Sequence, residues 1–151
     1  HRDLHSFPTR RSSDLRSMRL SELVPLLSVN GVRFISLQMG RDAEQLQEFP
    51  GQLEDLSTLL EGFGETAALL SHLDLLITID TAVPHLSGAL GVKTWVMLKF
   101  APDWRWFTAR EDSPWYASIR LFRQESDKEG WEGVISKVAA ELDSLREKMK
   151  V

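Results

Sequence analysis

Residues 80–85, Asp-Thr-Ala-Val-Pro-His, place an acid, a hydroxyl, an imidazole and small side chains in one short stretch. Thr81 can cap a following helix through its hydroxyl, and Pro84 is tolerated in a first helical turn, where a missing N–H costs little. Because Ala82 leaves the backbone open to a closely approaching group, the stretch suits a phosphate. A structural alternative stays open on these residues alone: the acid and the hydroxyl are helix caps, and the histidine is a partly buried helical residue.

A second group of chemically useful side chains lies in residues 99–118, which lack regular periodicity. Its centre is Asp103, Trp104, Arg105 and Trp106. Indole rings offer a stacking surface for a base or sugar, and a guanidinium offers a cation for phosphate. Simpler interpretations are equally open: the rings close the open end of the domain, Arg105, Arg110 and Asp112 pair at the surface, and Asp103 forms a turn or an ion pair.

The first stretch follows an apolar run, residues 75–79, which predicts a strand covered by helices on both faces. Small and apolar residues continue at helical spacing to Gly91, and residues 92–98 form the next apolar run. A connection this short makes the two strands a right-handed parallel pair. Ligands bind beyond the carboxyl ends of strands in open α/β sheets, where helices begin, so we expect residues 80–85 at such a position.

The chain from residue 20 onward alternates helices and strands. The apolar spacing predicts helices over residues 20–27, 65–73 and 131–149 and strands over residues 32–37 and 119–123. Gln38 follows the first of these strands. Residues 41–64 stay open, with a helix over 42–49 ended by Pro50 and either a short strand or a loop over 53–60. The expected fold class is α/β, a Rossmann-like parallel sheet flanked by helices.

The first nineteen residues do not fit this pattern. They are rich in Arg and Ser and lack apolar periodicity, and residues 6–15 resemble a translated sequencing-adapter read-through. We expect an unstructured or artefactual leader over residues 1–19 and a domain over residues 20–151. The leader carries five of the 18 Lys and Arg residues and two of the 22 Asp and Glu residues, so the domain has 13 against 20 and a net charge of −7. An acidic domain argues against binding nucleic acid.

Composition excludes several other classes of site. The 151-residue chain has no Cys, which rules out disulfides and thiolate metal ligands and fits a reducing compartment such as the cytoplasm. No apolar run reaches the roughly 18 residues needed to cross a bilayer. His72 and His85 have no carboxylates at metal-ligand spacing, and no nucleophile triad is visible. We therefore expect neither a metal site nor a nucleophile triad in this chain.

Residues 80–91, Asp-Thr-Ala-Val-Pro-His-Leu-Ser-Gly-Ala-Leu-Gly, resemble the signature of glycosyltransferase family nine, the heptosyltransferase-like group. The flanking residues agree best with the branch of this family found at the ends of tetratricopeptide-repeat proteins. The supporting motifs are Ser36-Leu37-Gln38, Thr66-Ala67-Ala68-Leu69, Asp103-Trp104-Arg105-Trp106, Ser113-Pro114-Trp115-Tyr116 and Arg120-Leu121-Phe122-Arg123-Gln124. The resemblance runs from about residue 16 to residue 142.

Family members have the GT-B architecture, in which two Rossmann-like domains face each other across a cleft and the C-terminal one binds the nucleotide-sugar donor. The resemblance implies that residues 20–151 are part of that C-terminal domain, without its first strand and glycine-bearing loop. The donor-binding residues that it implies are Gln38, Asp80, Thr81, Ala82, Val83 and His85. Backbone N–H groups of residues 81–83 would face the diphosphate, with Asp80 nearer the sugar. Two departures weaken part of this set: Ala82 replaces a commoner Gly, and Pro84 removes one N–H donor.

The resemblance implies the donor-binding part of an inverting, metal-independent glycosyltransferase that uses a nucleoside-diphosphate sugar, an ADP-linked one being an option, and no further cofactor. The general base would come from the missing N-terminal domain, so the chain alone is expected to be inactive. The alternative is a non-catalytic, degenerate sugar-nucleotide domain that caps or docks a tetratricopeptide-repeat array of the same protein. A different Rossmann-like nucleotide binder is less favoured, because no Gly-x-Gly-x-x-Gly follows a strand.

Overall fold

A computed structural model describes residues 18–38 and 40–150. Its helices are α1 (Val24–Leu27), α2 (Phe63–Leu70), α3 (Val83–Ala89) and α4 (Glu132–Met149). Its strands are β1 (Ile35–Ser36), β2 (Glu54–Asp55), β3 (Leu76–Ile79), β4 (Thr94–Leu98) and β5 (Ile119–Arg123). Short 3-10 segments occur at Leu20–Leu23, Gly40–Glu48, Ser57–Leu59 and Trp104–Trp106. None of these described helices combines the length and the apolar composition that crossing a membrane requires.

Strands β3, β4 and β5 form a parallel sheet in that order. β4 lies in the middle, and all five of its residues are buried. A strand with neighbours on both sides and layers on both faces has no solvent-facing positions, which explains why its run Thr-Trp-Val-Met-Leu is nearly all apolar. Ile79 lies opposite Met97, and Leu98 lies opposite Arg123, so the carboxyl ends of the three strands share one edge of the sheet.

Helix α3 forms the short crossover between β3 and β4. The N–H of Val92 donates to the carbonyl of Ser87 at 2.9 Å, and the hydroxyl of Thr94 donates to the Ser87 hydroxyl at 2.8 Å. The Ser87 hydroxyl in turn donates to the carbonyl of Pro84 at 3.0 Å. The bonds of the Ser87 hydroxyl are buried and tie α3 to the start of β4. They therefore fix the position of α3 and of the turn that precedes it.

Apolar side chains pack against both faces of the sheet. Against the face that α1 and α4 cover, the buried residues are Leu26, Trp95, Met97, Phe122, Trp131, Val134, Ile135, Val138 and Leu142. On the other face they are Val96, Leu98, Trp106, Ile119 and Leu121. Successive β4 residues alternate between the two cores, as the pleat of a strand requires. The predicted apolar face of the terminal helix is confirmed, since Val134, Ile135, Val138 and Leu142 are buried and Leu145 packs beside them.

A second, two-stranded parallel sheet contains β1 and β2, with Ile35 opposite Glu54 and Ser36 opposite Asp55. Among the described residues, no strand pairing joins it to the larger sheet. A cavity of about 690 Å³ lies between β1 and β3 and is lined by residues from both strands.

The expected α/β fold with parallel strands and flanking helices is confirmed. Several predicted elements are wrong in extent. The strand over 32–37 narrows to the two residues of β1, and residues 92–93 lie outside β4. The helix over 65–73 begins earlier and ends at Leu70, and the one over 20–27 starts as a 3-10 segment because Pro25 has no N–H for the preceding turn. Residues 41–64, which the sequence left open, contain most of the 3-10 segment Gly40–Glu48, then β2, a second 3-10 segment and the start of α2. Of the leader over residues 1–19, residues 1–17 lie outside the described part of the chain.

Candidate functional site

The carboxyl end of β3 carries an acid that is held in place by a buried indole. Asp80 follows the last residue of β3, and its Oδ1 accepts a hydrogen bond from Nε1 of Trp106 at 2.9 Å. Trp106 is only 1% exposed and belongs to the core on the α3 side of the sheet. A buried indole N–H needs a partner, and Asp80 supplies it. The carboxylate is therefore oriented by the core.

His85, in α3, lies between two aromatic rings. Its ring stacks on Trp106 with the centroids 5.0 Å apart and the planes 22° apart. Its Nδ1 lies 3.4 Å from the hydroxyl of Tyr116, whose ring approaches edge-on with a centroid separation of 5.9 Å. Trp106 thus contacts both Asp80 and His85, and it links the two candidate polar groups of residues 80–85 through one rigid side chain.

Tyr116 is placed by close packing against α3. A Cβ at Gly88 would lie 2.5 Å from Cγ and 2.7 Å from Cδ1 of Tyr116, so no larger residue fits at position 88 without movement of the ring. On the other side, the buried Ser113 hydroxyl accepts the N–H groups of Trp115 and Tyr116 at 3.2 and 3.3 Å. Sequence reasoning named Tyr116 only as part of the aromatic loop and its motif, and did not predict its contact with His85. The Gly at one turn beyond His85 was a usable signal, because it permits the close approach of an aromatic ring.

The turn between Asp80 and α3 differs from the sequence expectation. Thr81 does not cap the helix: Ala82 occupies that position, and no side chain caps it. The Thr81 hydroxyl instead accepts the Val83 N–H at 3.4 Å, a long bond that a better acceptor can replace at little cost. Thr81 and Ala82 are exposed. Because α3 has only seven residues, its dipole is a minor contribution, and the exposed turn itself is the candidate binding surface.

Gln38 lies at the end of the neighbouring sheet, two residues beyond β1. Its backbone N–H donates to the Ser36 hydroxyl at 3.2 Å, and its side chain is exposed. Gln38, Thr81 and Val83 all line the cavity between β1 and β3. The structure therefore places these three predicted residues along the wall of one cavity, whereas Asp80 and His85 are held on the Trp106 side of the turn.

The aromatic loop divides into buried and exposed parts. Trp104 is 68% exposed, and the guanidinium of Arg105 lies over its ring at 4.8 Å. Asp103 accepts the backbone N–H of Arg105 at 3.1 Å and its Nη1 at 2.9 Å. Arg105 is paired with that carboxylate and stacked on an indole, so its cation is positioned but partly neutralised. The ion-pair interpretation of Asp103 fits these contacts.

Charged residues further along the loop follow the simpler interpretation. Arg110 forms a two-pronged ion pair with Asp112, with both bonds at 2.8 Å. This pair lowers the pKa of Asp112 and raises that of Arg110. Trp115 is 57% exposed, and its Nε1 donates to the carbonyl of Arg105 at 3.1 Å. That bond holds the two exposed indole-bearing parts of the loop together.

Arg123, at the end of β5, is a structural residue of the site that sequence reasoning named only as part of a motif. Its Nη2 donates to the carbonyl of Trp106, and its Nε donates to the carbonyl of Arg110 at 2.9 Å. Burial lowers its pKa. Nearby, the buried Gln124 accepts the N–H of Phe100 at 3.2 Å and donates to the carbonyl of Gly130 at 3.1 Å. Gln124 thus fastens the start of the loop to the sheet, and Arg123 fastens its middle.

Comparison with known proteins identifies one similar curated protein. No protein-family model matches the chain, and no solved structure matches it. Protein FlbA of Caulobacter vibrioides is 32% identical to it over 127 residues, which is 78% of this chain and 20% of FlbA. The chain thus spans about a fifth of the length of the curated relative that it matches. A match over so small a part of FlbA does not assign a family.

Proposed function

We propose that the chain is the donor-binding part of an inverting, metal-independent glycosyltransferase of the family-nine type, and that it binds a nucleoside-diphosphate sugar. The observation that carries the proposal is that Gln38, Thr81 and Val83, which follow the carboxyl ends of β1 and β3, line one cavity. In α/β sheets this crevice is where nucleotides bind. The sequence resemblance had assigned the same three residues to the donor.

Groups that line the cavity and groups on the Trp106 side of the turn each match a part of such a donor. The exposed Thr81 hydroxyl and the loosely bound Val83 N–H suit a diphosphate. Asp80, fixed by Trp106, suits hydroxyl groups of the sugar as a hydrogen-bond acceptor. The Trp104 and Arg105 pair offers a stacking surface of the kind that a base uses. These side chains bind and orient a donor and stabilise a departing nucleoside diphosphate.

Transfer needs a further group that deprotonates the acceptor hydroxyl. Asp80 and His85 are both engaged by Trp106, and Asp103 is engaged by Arg105. We therefore assign the base to another domain of the enzyme, and we expect no sugar transfer from ADP-, UDP- or GDP-sugars by the 151-residue chain. Turnover by this chain alone would contradict that assignment.

Calorimetric titration of ADP, UDP and GDP tests the proposal. We expect one of them to bind with a Kd below about 1 mM, which corresponds to about −4 kcal/mol. Thr81→Glu places a negative charge at the diphosphate position and should weaken binding by about tenfold or more. The matched control is Ala89→Glu, which adds the same charge at the exposed far end of α3 and should change the Kd by less than about twofold.

A second candidate is a non-catalytic docking module for a tetratricopeptide-repeat array of the same protein. The observation that favours it is the exposure of four large aromatic side chains in one segment: Phe100, Trp104, Phe107 and Trp115. Exposed apolar residues of this size are typical of protein interfaces. Binding of all three nucleotides that is weaker than about 1 mM, with no difference between the two Glu variants, would favour this module over the transferase.

A further inference from the structure

Phe107 has a backbone conformation that residues with a side chain rarely adopt. Its φ is 55° and its ψ is −176°, and among the described residues it is the only one other than glycine with a positive φ. Glycine alone adopts this combination readily, because it has no Cβ to clash. Burial of the side chain does not offset the strain, since Phe107 is 43% exposed. Contacts made by other residues must therefore hold this conformation.

Arg123, at the end of β5, binds the backbone on both sides of Phe107. Its Nη2 donates to the carbonyl of Trp106, which belongs to the peptide that joins Trp106 to Phe107. Its Nε donates to the carbonyl of Arg110, further along the loop, at 2.9 Å. Rotation of φ at Phe107 to a negative value turns the first carbonyl relative to the chain that follows, so both bonds persist only if residues 108–110 rearrange. The two bonds together therefore retain the positive φ.

The peptide between Trp106 and Phe107 is also held through its N–H. This N–H donates to the carbonyl of Trp104 at 3.2 Å and closes the short 3-10 segment before it. The indole of Trp106 is bound at its far end, where Nε1 donates to Asp80 at 2.9 Å. Relaxation of Phe107 would move the peptide that carries Trp106, so it would act directly on the bond between the indole and Asp80.

The guanidinium of Arg123 is costly to the fold. No ion pair between described residues includes it. Its Nη1 is buried without a hydrogen-bond partner, and burial lowers the pKa of Arg123. A buried cation with an unpartnered nitrogen stabilises a fold less than an apolar side chain of similar size. Stability alone therefore does not explain an arginine at this position, whereas its two bonds beside a strained residue do.

We propose that Arg123 is a positioning residue for the candidate donor site: it retains the strained backbone of Phe107 and thereby sets the place of Trp106. Trp106 in turn orients Asp80 and stacks on His85. The consequence for a bound donor rests on the proposed function, but the consequence for the indole does not.

Hydrogen exchange of the Trp106 indole N–H, followed by NMR, tests this role without any nucleotide. Arg123→Met removes both bonds and keeps an unbranched side chain, so Phe107 can relax. We expect the indole N–H to exchange at least about tenfold faster, because strain of this kind is enough to shift a local opening by that factor. The amide of Met97, in the buried strand β4, reports on global unfolding and should change by less than about twofold.

Substitution at position 107 separates the strain from the loss of the ring. In the Arg123→Met chain, Phe107→Gly adopts the positive φ without strain and should bring the indole rate back to within about threefold of the native rate. Phe107→Ala also removes the ring but keeps a Cβ, so it should not restore the rate. Arg120→Met is the control on β5, because it removes a guanidinium that binds Glu141 instead of the loop, and it should leave the indole rate unchanged.

A second measurement covers the case in which Arg123→Met does not fold. In the otherwise native chain, Phe107→Gly and Phe107→Ala both lose the ring, and only the Gly variant loses the strain. The Gly variant should therefore melt at a higher temperature than the Ala variant. A lower melting temperature for the Gly variant would overturn the proposal.

Three results of the exchange experiment would also overturn it: an unchanged indole rate in Arg123→Met, an equal increase at the Met97 amide, or equal rescue by Gly and Ala. For whichever of ADP, UDP and GDP binds the native chain, Arg123→Met should raise the Kd by about threefold or more, because molecules with a displaced Trp106 do not bind. An unchanged Kd would contradict a role at the donor site. The expected exchange pattern without binding of any nucleotide would uphold the role of Arg123 in placing Trp106 and contradict the proposed function.

Discussion

The two long sides of β3 are built differently. Toward β4 the strand has a complete parallel ladder, from Leu76 opposite Thr94 to Ile79 opposite Met97, and β4 is buried throughout. Toward β1 it faces a cavity of about 690 Å³, and its residues from Ile77 to Ile79 are only partly buried. The same four residues thus border a complete core toward β4, the finished side, and an open edge toward β1, the open side.

This difference shows how the candidate site is divided. The groups on the finished side, Asp80 and His85, are fixed by Trp106, which is itself part of the core. The groups on the open side, Gln38 and Thr81, are exposed and have few internal bonds. Orientation of polar groups comes from the finished side, whereas access for a ligand comes from the open side.

The largest effect should come from the core residue of the finished side. Trp106→Ala removes a fully buried indole and should lower the free energy of unfolding by about 3–5 kcal/mol. The matched control, Trp104→Ala, removes an exposed indole two residues away and should cost less than about 1 kcal/mol. Urea denaturation followed by circular dichroism measures both. Similar losses for the two variants would show that Trp106 does not anchor this side.

A smaller effect should come from the contact between α3 and Tyr116. Gly88→Ala forces the ring of Tyr116 away from its position and should destabilise the fold by about 1–3 kcal/mol. Gly64→Ala is the control, because its Cβ meets nothing within 4 Å and its helix should gain up to about 1 kcal/mol. Thermal melts should therefore shift in opposite directions, and a stabilising Gly88→Ala would refute the packing account of His85.

The polar link to Trp106 should contribute less again. Asp80→Asn keeps an acceptor for the indole N–H but loses the charge, and we expect a loss of about 1 kcal/mol. Asp80→Ala leaves the indole N–H without that partner and should cost about 2 kcal/mol. Chemical denaturation of both variants measures the two losses of unfolding free energy. The account fails if the Ala variant is as stable as the Asn variant.

The smallest expected effects on stability come from two ion pairs, one on the finished side and one on the open side. Arg120 on β5 binds Glu141 of α4 with bonds of 3.0 and 3.3 Å, and this hydrogen bonding holds the pKa of Glu141 below its usual range. A lowered folded-state pKa stabilises the protein at neutral pH, and this contribution disappears as the pH falls through that pKa. The stability difference between the native chain and Arg120→Met should therefore shrink in acid.

On the open side, Arg33 pairs with Glu54 at 2.6 Å, but the Arg33 side chain is 76% exposed. Arg33→Met should change stability less than Arg120→Met at neutral pH, because exposed pairs are screened by solvent. Melting temperatures across a pH series measure both variants. A larger effect at Arg33 would reverse the order that we assign to the two sides.

The finished side was largely predictable from sequence. Continuous apolar runs over residues 75–79 and 92–98 with a short helical connection leave one topology, a right-handed parallel pair. The terminal helix was equally predictable, because its apolar positions recur at helical spacing. Local pattern is sufficient where the core is complete.

The contacts that shape the site were not predictable. The bond from Trp106 to Asp80 joins residues 26 positions apart, and no local pattern encodes it. Thr81 looked like a helix cap because its residue type favours that position, but the helix starts one residue later than such a cap requires. The strands of the open side could not be predicted for a physical reason. β1 has only two residues, and a strand so short shows no clear alternation of apolar and polar residues.

Amide and indole NMR spectra recorded during titration with ADP, UDP and GDP test the central claim most directly. A donor site that spans both sides of β3 predicts the largest shifts at the amides of Gln38, Thr81, Ala82 and Val83, with smaller ones at the Trp106 indole and none along α4. Shifts confined to the exposed indoles of Trp104 and Trp115, or absent with all three nucleotides, would contradict a donor site at this turn.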